Sequence, residues 1–462
     1  MLFNSLQFVL FLALTLVGYR LVERWRTPRH LLLLSASYLF YASWDPRYLV
    51  LILASTLLDY NVGRALARTE DQRARKALLW TSIVGNLSLL GVFKYGNFVL
   101  ENLEAALGLP MPRVPAELPV GISFYTFQTL SYTIDRYRKT IDPARNLLEF
   151  ALFVAFFPQL VAGPIVRASQ LLPQLAAPPR LDPKAIGEGA FLVASGLFKK
   201  MVLGDALAHW VVNPMFAAPD AHNAWEMWTG LWAFFAQVYC DFSGYTDVAL
   251  GAALMFGFRL PDNFKRPFLA RSPLEFWRRW HITLQHWLED YLYKPLGGSR
   301  AGPLRTDFNI VFTFLVGGVW HGANWTFVIM GLFHGVLSAL WRRAGIPRNL
   351  TGYPALISGF ITFNLMAFGT LFLRPMSVED TWLALSCLLH PMREASGVWT
   401  PVGVLLMVVV FGLHVTPYRW KTGLREWFGR APAFVVALML LVTGAICSVF
   451  AEFADPFVYF QF

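Results

Sequence analysis

Residues 308–341 read FNIVFTFLVGGVWHGANWTFVIMGLFHGVLSALW. Two apolar runs, 308–319 and 326–341, are joined by Trp320-His321-Gly322-Ala323-Asn324-Trp325, which sets an ionisable ring between segments with the composition of bilayer hydrocarbon. Runs approaching the ~20 apolar residues that cross a bilayer recur toward both ends of the chain. The sequence therefore reads as an all-α polytopic membrane protein.

Toward the N-terminus, the run 2–19 has no basic region ahead of it and no small-residue cleavage signal behind it, and it leads directly into Arg20, Arg24, Arg26 and Arg29. It reads as a retained first span. Runs 30–43, 48–66 and 77–100 follow, with the turn Trp44-Asp45-Pro46 between the first two of them. Basic clusters at 20–29 and 64–76 fall on one side of the bilayer; the positive-inside rule makes that side cytoplasmic and puts the N-terminus in the periplasm. The loop 101–118 is then external, and 119–137 returns to the cytoplasm at Arg136-Tyr137-Arg138-Lys139. The run 147–166 contains Pro158, Gln159, Gly163 and Pro164 between basic flanks, the pattern of a re-entrant or broken helix buried within protein.

Farther on, 189–212 carries Lys199-Lys200 and 225–258 carries Asp241 and Asp247. Residues 259–305 hold nine Lys/Arg against four Asp/Glu. Within them, 273–291 reads as an amphipathic helix at the cytoplasmic interface, with Phe276, Trp280, Thr283, Trp287 and Tyr291 on one face. Runs 353–373, 402–415 and 433–450 complete about 11–12 crossings, with re-entrant pieces, in a single membrane domain over 1–462.

Composition agrees with this reading. The chain is 56% hydrophobic and 15% charged, whereas an ordinary soluble domain is about a quarter charged. The formal charge of +10 is dispersed in short clusters between spans, so it follows from membrane topology and not from nucleic-acid binding. Cys240, Cys387 and Cys447 are odd in number and lack metal-ligand spacing, which makes them packing residues and leaves no metal site. No GxSxG, HExxH, Walker or GxGxxG pattern occurs in usable context, and no cofactor is implied.

Function is sought where polar groups interrupt the spans, because an ionisable side chain near the midplane costs ~2.5–3.5 kcal/mol on insertion scales. Four clusters stand out. In Gln237 to Asp247, Gly244 lets the helix bend; the carboxylates either cap freed amides and pair with arginines, or join Ser243 and Tyr245 as the polar wall of a substrate cavity. In Glu275-Phe276-Trp277-Arg278-Arg279-Trp280-His281, the alternating basic and aromatic residues either anchor the helix at headgroups or hold the phosphates of a cytoplasmic acyl-CoA. His281, four residues after Trp277, packs beneath it or takes part in chemistry directly.

The third cluster surrounds His321. Its flanking glycines admit close approach, and imidazole accepts a proton at neutral pH, so His321 reads as a general base or as a satisfied core histidine. Lys199-Lys200, the fourth, either lines the same cavity or, as the favoured reading, snorkels to an interface. His334 packs near His321, while His209, His222, His390 and His414 are structural.

Several of these motifs occur together in one order: Leu118-Pro119-Val120-Gly121-Ile122-Ser123-Phe124-Tyr125-Thr126-Phe127-Gln128, Phe157-Pro158-Gln159-Leu160-Val161-Ala162-Gly163-Pro164, Asp241-Phe242-Ser243-Gly244-Tyr245-Thr246-Asp247, Asn263-Phe264 with Pro267-Phe268, Phe276-Trp277-Arg278-Arg279-Trp280-His281, Trp320-His321-Gly322, and the terminal Pro456-Phe457-Val458-Tyr459-Phe460-Gln461-Phe462. In this the chain resembles the membrane-bound O-acyltransferases, and within them the bacterial branch that acetylates alginate. Cys240 departs from that branch, which often has an aliphatic residue before Asp241.

The resemblance implies a ring of tilted spans around a central cavity, His321 in the position of the family's catalytic histidine, and His281 in a second, more variable one. It further implies an inner-membrane enzyme that takes acetyl groups from cytoplasmic acetyl-CoA, works with a periplasmic carrier or SGNH-hydrolase-like partner, and modifies an extracellular polysaccharide. Asp241, Ser243, Tyr245, Asn263, Trp277, Arg278 and Arg279 are the candidate cavity or donor-binding residues, with Trp320 and Asn324 as oxyanion donors. The competing expectations are an ion or sugar transporter, a scaffold for a periplasmic enzyme, and a peptidoglycan acyltransferase or D-alanyl transferase of the same family.

Overall fold

The computed structural model describes residues 1–462 apart from 116, 117, 162, 178, 348, 375, 376, 390–393, 395 and 459–462. His390, Ala162 and the terminal Tyr459-Phe460-Gln461-Phe462 therefore lie outside the described residues. Among the described residues there is no strand, and one isolated antiparallel bridge joins Phe264 to Trp280. The helices are α1 (Leu6–Val22), α2 (Arg26–Ala42), α3 (Leu49–Arg68), α4 (Gln72–Leu90), α5 (Gly96–Leu107), α6 (Ile122–Tyr137), α7 (Leu147–Ala155), α8 (Phe157–Leu160), α9 (Ala168–Ala176), α10 (Pro183–Leu197), α11 (Asn213–Ala217) and α12 (Ala224–Met255). After them come α13 (Pro273–Trp277), α14 (Ile282–Leu288), α15 (Pro303–His321), α16 (Trp325–Arg343), α17 (Gly352–Thr370), α18 (Val378–Cys387), α19 (Pro401–Val415), α20 (Tyr418–Arg430) and α21 (Ala433–Val449).

By length and apolarity, four described segments suffice to cross a bilayer: Pro46–Arg68, Gln72–Leu107, Trp325–Arg343 and Gly352–Leu373. The pair α19 and α20, bent by 86°, makes a fifth, while α1 and α21 are apolar but shorter. Fewer segments pass than the apolar runs suggest, because the fold interrupts several of them. The run 189–212 changes from α-helix to π-helix over Phe198–Asp205 and again over Ala208–Val212. The run 147–166 breaks at Phe156, between α7 and α8, as its prolines anticipate.

Residue contacts group the chain into two units. The first comprises Met1–Val193, Val248–Pro261 and Arg425–Val436. Its centre is the broken helix, where Phe150, Phe153, Phe156 and Phe157 are fully buried. The break frees backbone groups that side chains recapture: the Phe157 N–H donates to Ser37 Oγ at 3.1 Å, and Gln159 Nε2 donates to the Phe153 carbonyl at 2.6 Å. The same accounting places buried Asp59 of α3 among donors from α4 and α6, namely Ser82, Asn86 Nδ2 at 2.8 Å and Thr133 at 3.0 Å. Gly121, with φ +78°, caps the start of α6 against the backbone of Leu160, where a built Cβ would lie 2.7 Å from the carbonyl oxygen. Two of the sequence motifs therefore meet at a contact that only glycine permits.

The second unit comprises Ala194–Asp247, Asp262–Leu424 and Ala437–Phe462. Its tightest element is the α15–α16 hairpin. Built Cβ atoms on Gly331 and Gly335 would meet the Phe314 carbonyl at 2.6 Å and Val311 Cα at 2.8 Å, so small residues bring the two backbones together. Away from the hairpin's turn, Asp307 pairs with both Arg342 and Arg343.

One expectation about local structure needs correction. Residues 273–291 do not form one interfacial helix: α13 ends at Trp277, His281 adopts a left-handed backbone with φ 45°, and α14 starts afresh at Ile282. Phe276, Trp280, His281 and Trp287 are buried, so this aromatic face packs into protein and not onto headgroups. At Gly244, α12 continues without a break from Ala224 to Met255. The value of this glycine is close approach, since a Cβ there would lie 2.7 Å from the Gly196 carbonyl oxygen and 3.0 Å from the Lys200 nitrogen.

Gly121→Ala tests the motif contact in the first unit. The left-handed backbone by itself costs about 1–2 kcal/mol for a residue with a Cβ, and the clash with Leu160 adds to it. A lowered unfolding temperature of the purified protein in detergent is the expected result; an unchanged temperature would contradict the packing described.

Candidate active site

The centre of the second unit is a short backbone clasp between 263–265 and 279–283. Lys265 N donates to the Arg279 carbonyl at 2.9 Å and Ile282 N donates to the Asn263 carbonyl at 3.0 Å, flanking the Phe264–Trp280 bridge. The clasp forces the chain to reverse at His281, and a non-glycine residue in the left-handed region stores local strain, as functional residues often do. His281 is 1% exposed.

Asn263 holds that imidazole. Its Oδ1 accepts from Thr283 N at 3.2 Å and from Thr283 Oγ1 at 3.0 Å, and the backbone N–H can only donate, which fixes the orientation of the amide. The remaining contact, His281 Nδ1 to the same oxygen at 3.2 Å, therefore requires the proton on Nδ1. Nε2 then carries the imidazole lone pair. The ring packs edge-on to Phe242 of α12 at 4.8 Å.

His321 approaches from the end of α15. Its ring centroid lies 6.4 Å from that of His281, with the Trp320 ring 5.2 Å from His321 and 6.1 Å from His281. Extended backbone at Gly322 ends the helix beside His321, and the Phe327 side chain occupies the place a Cβ on Gly322 would take. The fold thus brings together two histidines forty residues apart, one oriented by an amide and both bordered by aromatic rings.

Other candidate residues have different surroundings. Asn324 caps α16, with Oδ1 accepting from Thr326 N at 3.1 Å, so its oxygen already has a structural task. Trp277 packs on His334 at 4.9 Å and on Phe314 at 5.3 Å, which places His334 with Trp277. Arg279 pairs with Glu275 at 2.5 Å, while Arg278 is exposed.

Asp241, Ser243 and Tyr245 belong to an ionic network adjoining Phe242. Lys200, 2% exposed, pairs with Asp205 at 2.5 Å and Asp241 at 2.7 Å and donates to the Asp455 carbonyl at 2.9 Å. Asp241 also accepts from Val458 N at 2.8 Å, and Tyr245 stacks on Phe457 at 4.3 Å. Lys199 pairs with Asp247 at 2.7 Å and donates to Ser243 Oγ at 3.0 Å; Lys421 of α20 also reaches Asp247 at 3.0 Å. The two lysines therefore do not snorkel, and the carboxylates pair with lysines instead of arginines. Asp205 and Lys421 do not stand out in the sequence, and Thr283 and Phe242 stand there within motifs without the contacts they make here. Only Asp205 carried a usable signal, as an acid five residues beyond an intramembrane lysine.

The membrane-bound O-acyltransferase family matches this chain over residues 30–343. A probable alginate O-acetylase of Pseudomonas putida is 38% identical, covering 94% of this chain and 94% of its own length. Its Pseudomonas aeruginosa counterpart is 35% identical with 100% of both chains covered. A peptidoglycan O-acetyltransferase of Helicobacter pylori is 32% identical over 100% of this chain and 98% of the relative.

Removing the cation from the buried network tests its structural part. Lys200→Met leaves Asp205 and Asp241 facing each other without it, a change expected to cost about 3–5 kcal/mol, as for other broken buried ion pairs. Thermal unfolding should show the loss, and adding Asp205→Asn and Asp241→Asn should recover much of it. Equal stability of Lys200→Met and wild type would contradict the network.

Proposed function

Since the chain belongs to the membrane-bound O-acyltransferase family, we propose that it moves acetyl groups from cytoplasmic acetyl-CoA to hydroxyls of an extracytoplasmic polysaccharide, with His321 as general base. The observation that carries this reading is the pairing of His321 with an amide-oriented His281 between aromatic walls. The alginate O-acetylases among its relatives favour an alginate-like exopolysaccharide as the acceptor.

In the proposed reaction an acceptor hydroxyl lies beside the two rings, ~3 Å from a nitrogen of His321, the reach a general base needs. His321 removes the hydroxyl proton as the oxygen attacks the thioester carbonyl. The C–S bond breaks, the acetyl ester remains on the acceptor, and the proton passes to the departing CoA thiolate. His281, its Nδ1–H directed to Asn263, presents an unprotonated Nε2 to the same space, where it accepts a hydrogen bond from a second hydroxyl of the acceptor. Trp320 borders the same space, and its indole N–H is the oxyanion donor in this proposal.

The topology follows from charge. The ends bearing Arg342, Arg343 and Arg271 face the cytoplasm of a bacterial inner membrane, and the N-terminus is periplasmic. Arg278, exposed on the basic side, is then available to donor phosphates. A periplasmic carrier or SGNH-hydrolase-like partner works with the enzyme on the acceptor side. The Helicobacter pylori relative supports a second reading in which peptidoglycan is the acceptor. A transporter is less consistent with the structure, because Lys199, Lys200, Asp241 and Asp247 are paired with one another instead of lining an ion path with free charge.

His321→Ala should insert and fold, yet lose acetyl transfer from radiolabelled acetyl-CoA by the ~10²–10⁴-fold typical of a removed general base. Asn263→Ala, which frees the His281 tautomer, should lower kcat less and leave KM for acetyl-CoA near its wild-type value. Full activity of His321→Ala would remove that residue from the mechanism.

A further inference from the structure

A groove of about 950 Å³ opens in the second unit between α12, α17 and α19. Its walls include Trp232, Phe360, Phe363, Met407 and Phe411, and Arg271 lines it beside the start of α17, where its guanidinium donates to the Leu350 carbonyl at 2.5 Å. The catalytic histidines do not line it. Other polar groups in the wall are already engaged: Thr229 Oγ1 accepts from Trp399 Nε1 at 2.8 Å, and His414 Nε2 accepts from Phe268 N at 3.1 Å. Among the described residues no carboxylate forms an ion pair with Arg271. Glu275 takes only its backbone N–H, at 2.8 Å, and pairs with Arg279.

An apolar trough with a single uncompensated cation at one end matches an amphiphile with an anionic head. We propose that the groove holds a diacyl phospholipid of the cytoplasmic leaflet, its phosphate on Arg271 and its chains against α12, α17 and α19. The inference rests on the topology argued above and is independent of the acetyl-transfer chemistry. Charge complementarity favours lipid over a partner's transmembrane helix: helices end in Lys and Arg on the cytoplasmic side, which would oppose Arg271, whereas an anionic headgroup neutralises it.

The lipid would also support the catalytic clasp. Phe268 and Phe363, which face the groove, pack on Phe235 at 4.6 and 5.5 Å, and Phe235 packs on Trp280 of the bridge at 5.8 Å. Two aromatic layers, Phe268 with Phe363 and then Phe235, therefore separate the bound chains from the backbone bridge beside His281.

The test is native mass spectrometry of the full-length protein, purified in mild detergent and exchanged against phosphatidylglycerol or phosphatidylcholine vesicles. One retained phospholipid per chain, with phosphatidylglycerol preferred, is expected for wild type. Arg271→Gln should reduce that preference at least tenfold. Gly359→Leu should abolish retention, since a Cβ there meets nothing closer than the Ala270 carbonyl at 3.7 Å and the side chain extends into the groove without displacing backbone. Equal retention of both lipids, retention unchanged in Gly359→Leu, or capture of a protein segment in place of lipid by a photo-crosslinker at Phe360 would overturn the proposal.

Discussion

A polar or charged group at membrane depth keeps its place only if protein supplies what water would have supplied, and the organisation of this chain follows from that constraint. In the first unit the carbonyl and amide freed at the Phe156 break find Gln159 and Ser37, and Asp59 collects donors from two neighbouring helices. In the second, Lys200 is surrounded by Asp205, Asp241 and the Asp455 carbonyl. Apart from Gln159 with Phe153 and Lys200 with Asp205, which are five or six residues apart, these contacts are long-range in sequence, so satisfying them also fixes which helices lie side by side.

The candidate site uses the same constraint to chemical effect. Asn263 serves the backbone and side chain of Thr283 with one oxygen, and that same oxygen settles which nitrogen of His281 carries the proton. Structural satisfaction and chemical preparation are thus the same set of hydrogen bonds. The left-handed turn at His281 persists because the clasp on either side of it over-determines the backbone. His321 comes from a different kind of element, a glycine-packed helical hairpin whose end is set by Gly322 and Phe327. Two unrelated local devices therefore converge on one pair of rings.

Much of the fold class was legible in the sequence. Apolar runs, basic clusters and the prolines of 147–166 identified a polytopic helical protein and placed a broken helix correctly, because hydropathy and helix-breaking act over a few residues. His321 and His281 were also visible as candidates, as ionisable groups interrupting apolar runs, while Asn263 was visible only from the ordered motifs. The readings that failed were those requiring knowledge of a distant neighbour. An aromatic-basic stretch such as 273–291 has the same pattern whether its rings face lipid headgroups or Phe235 and Phe242.

The sequence by itself determined that this is a membrane protein, where its ionisable groups interrupt the spans, and which motif family it carries. Only the tertiary structure decided how those groups are paired: Asn263 with His281, His281 with His321, Lys199 and Lys421 with Asp247, and the Asp455–Val458 tail with Lys200 and Asp241. The physical reason is that transfer of apolar surface is read residue by residue along the chain, whereas the desolvation of a charge is offset by whichever partner the packed helices bring within hydrogen-bond reach.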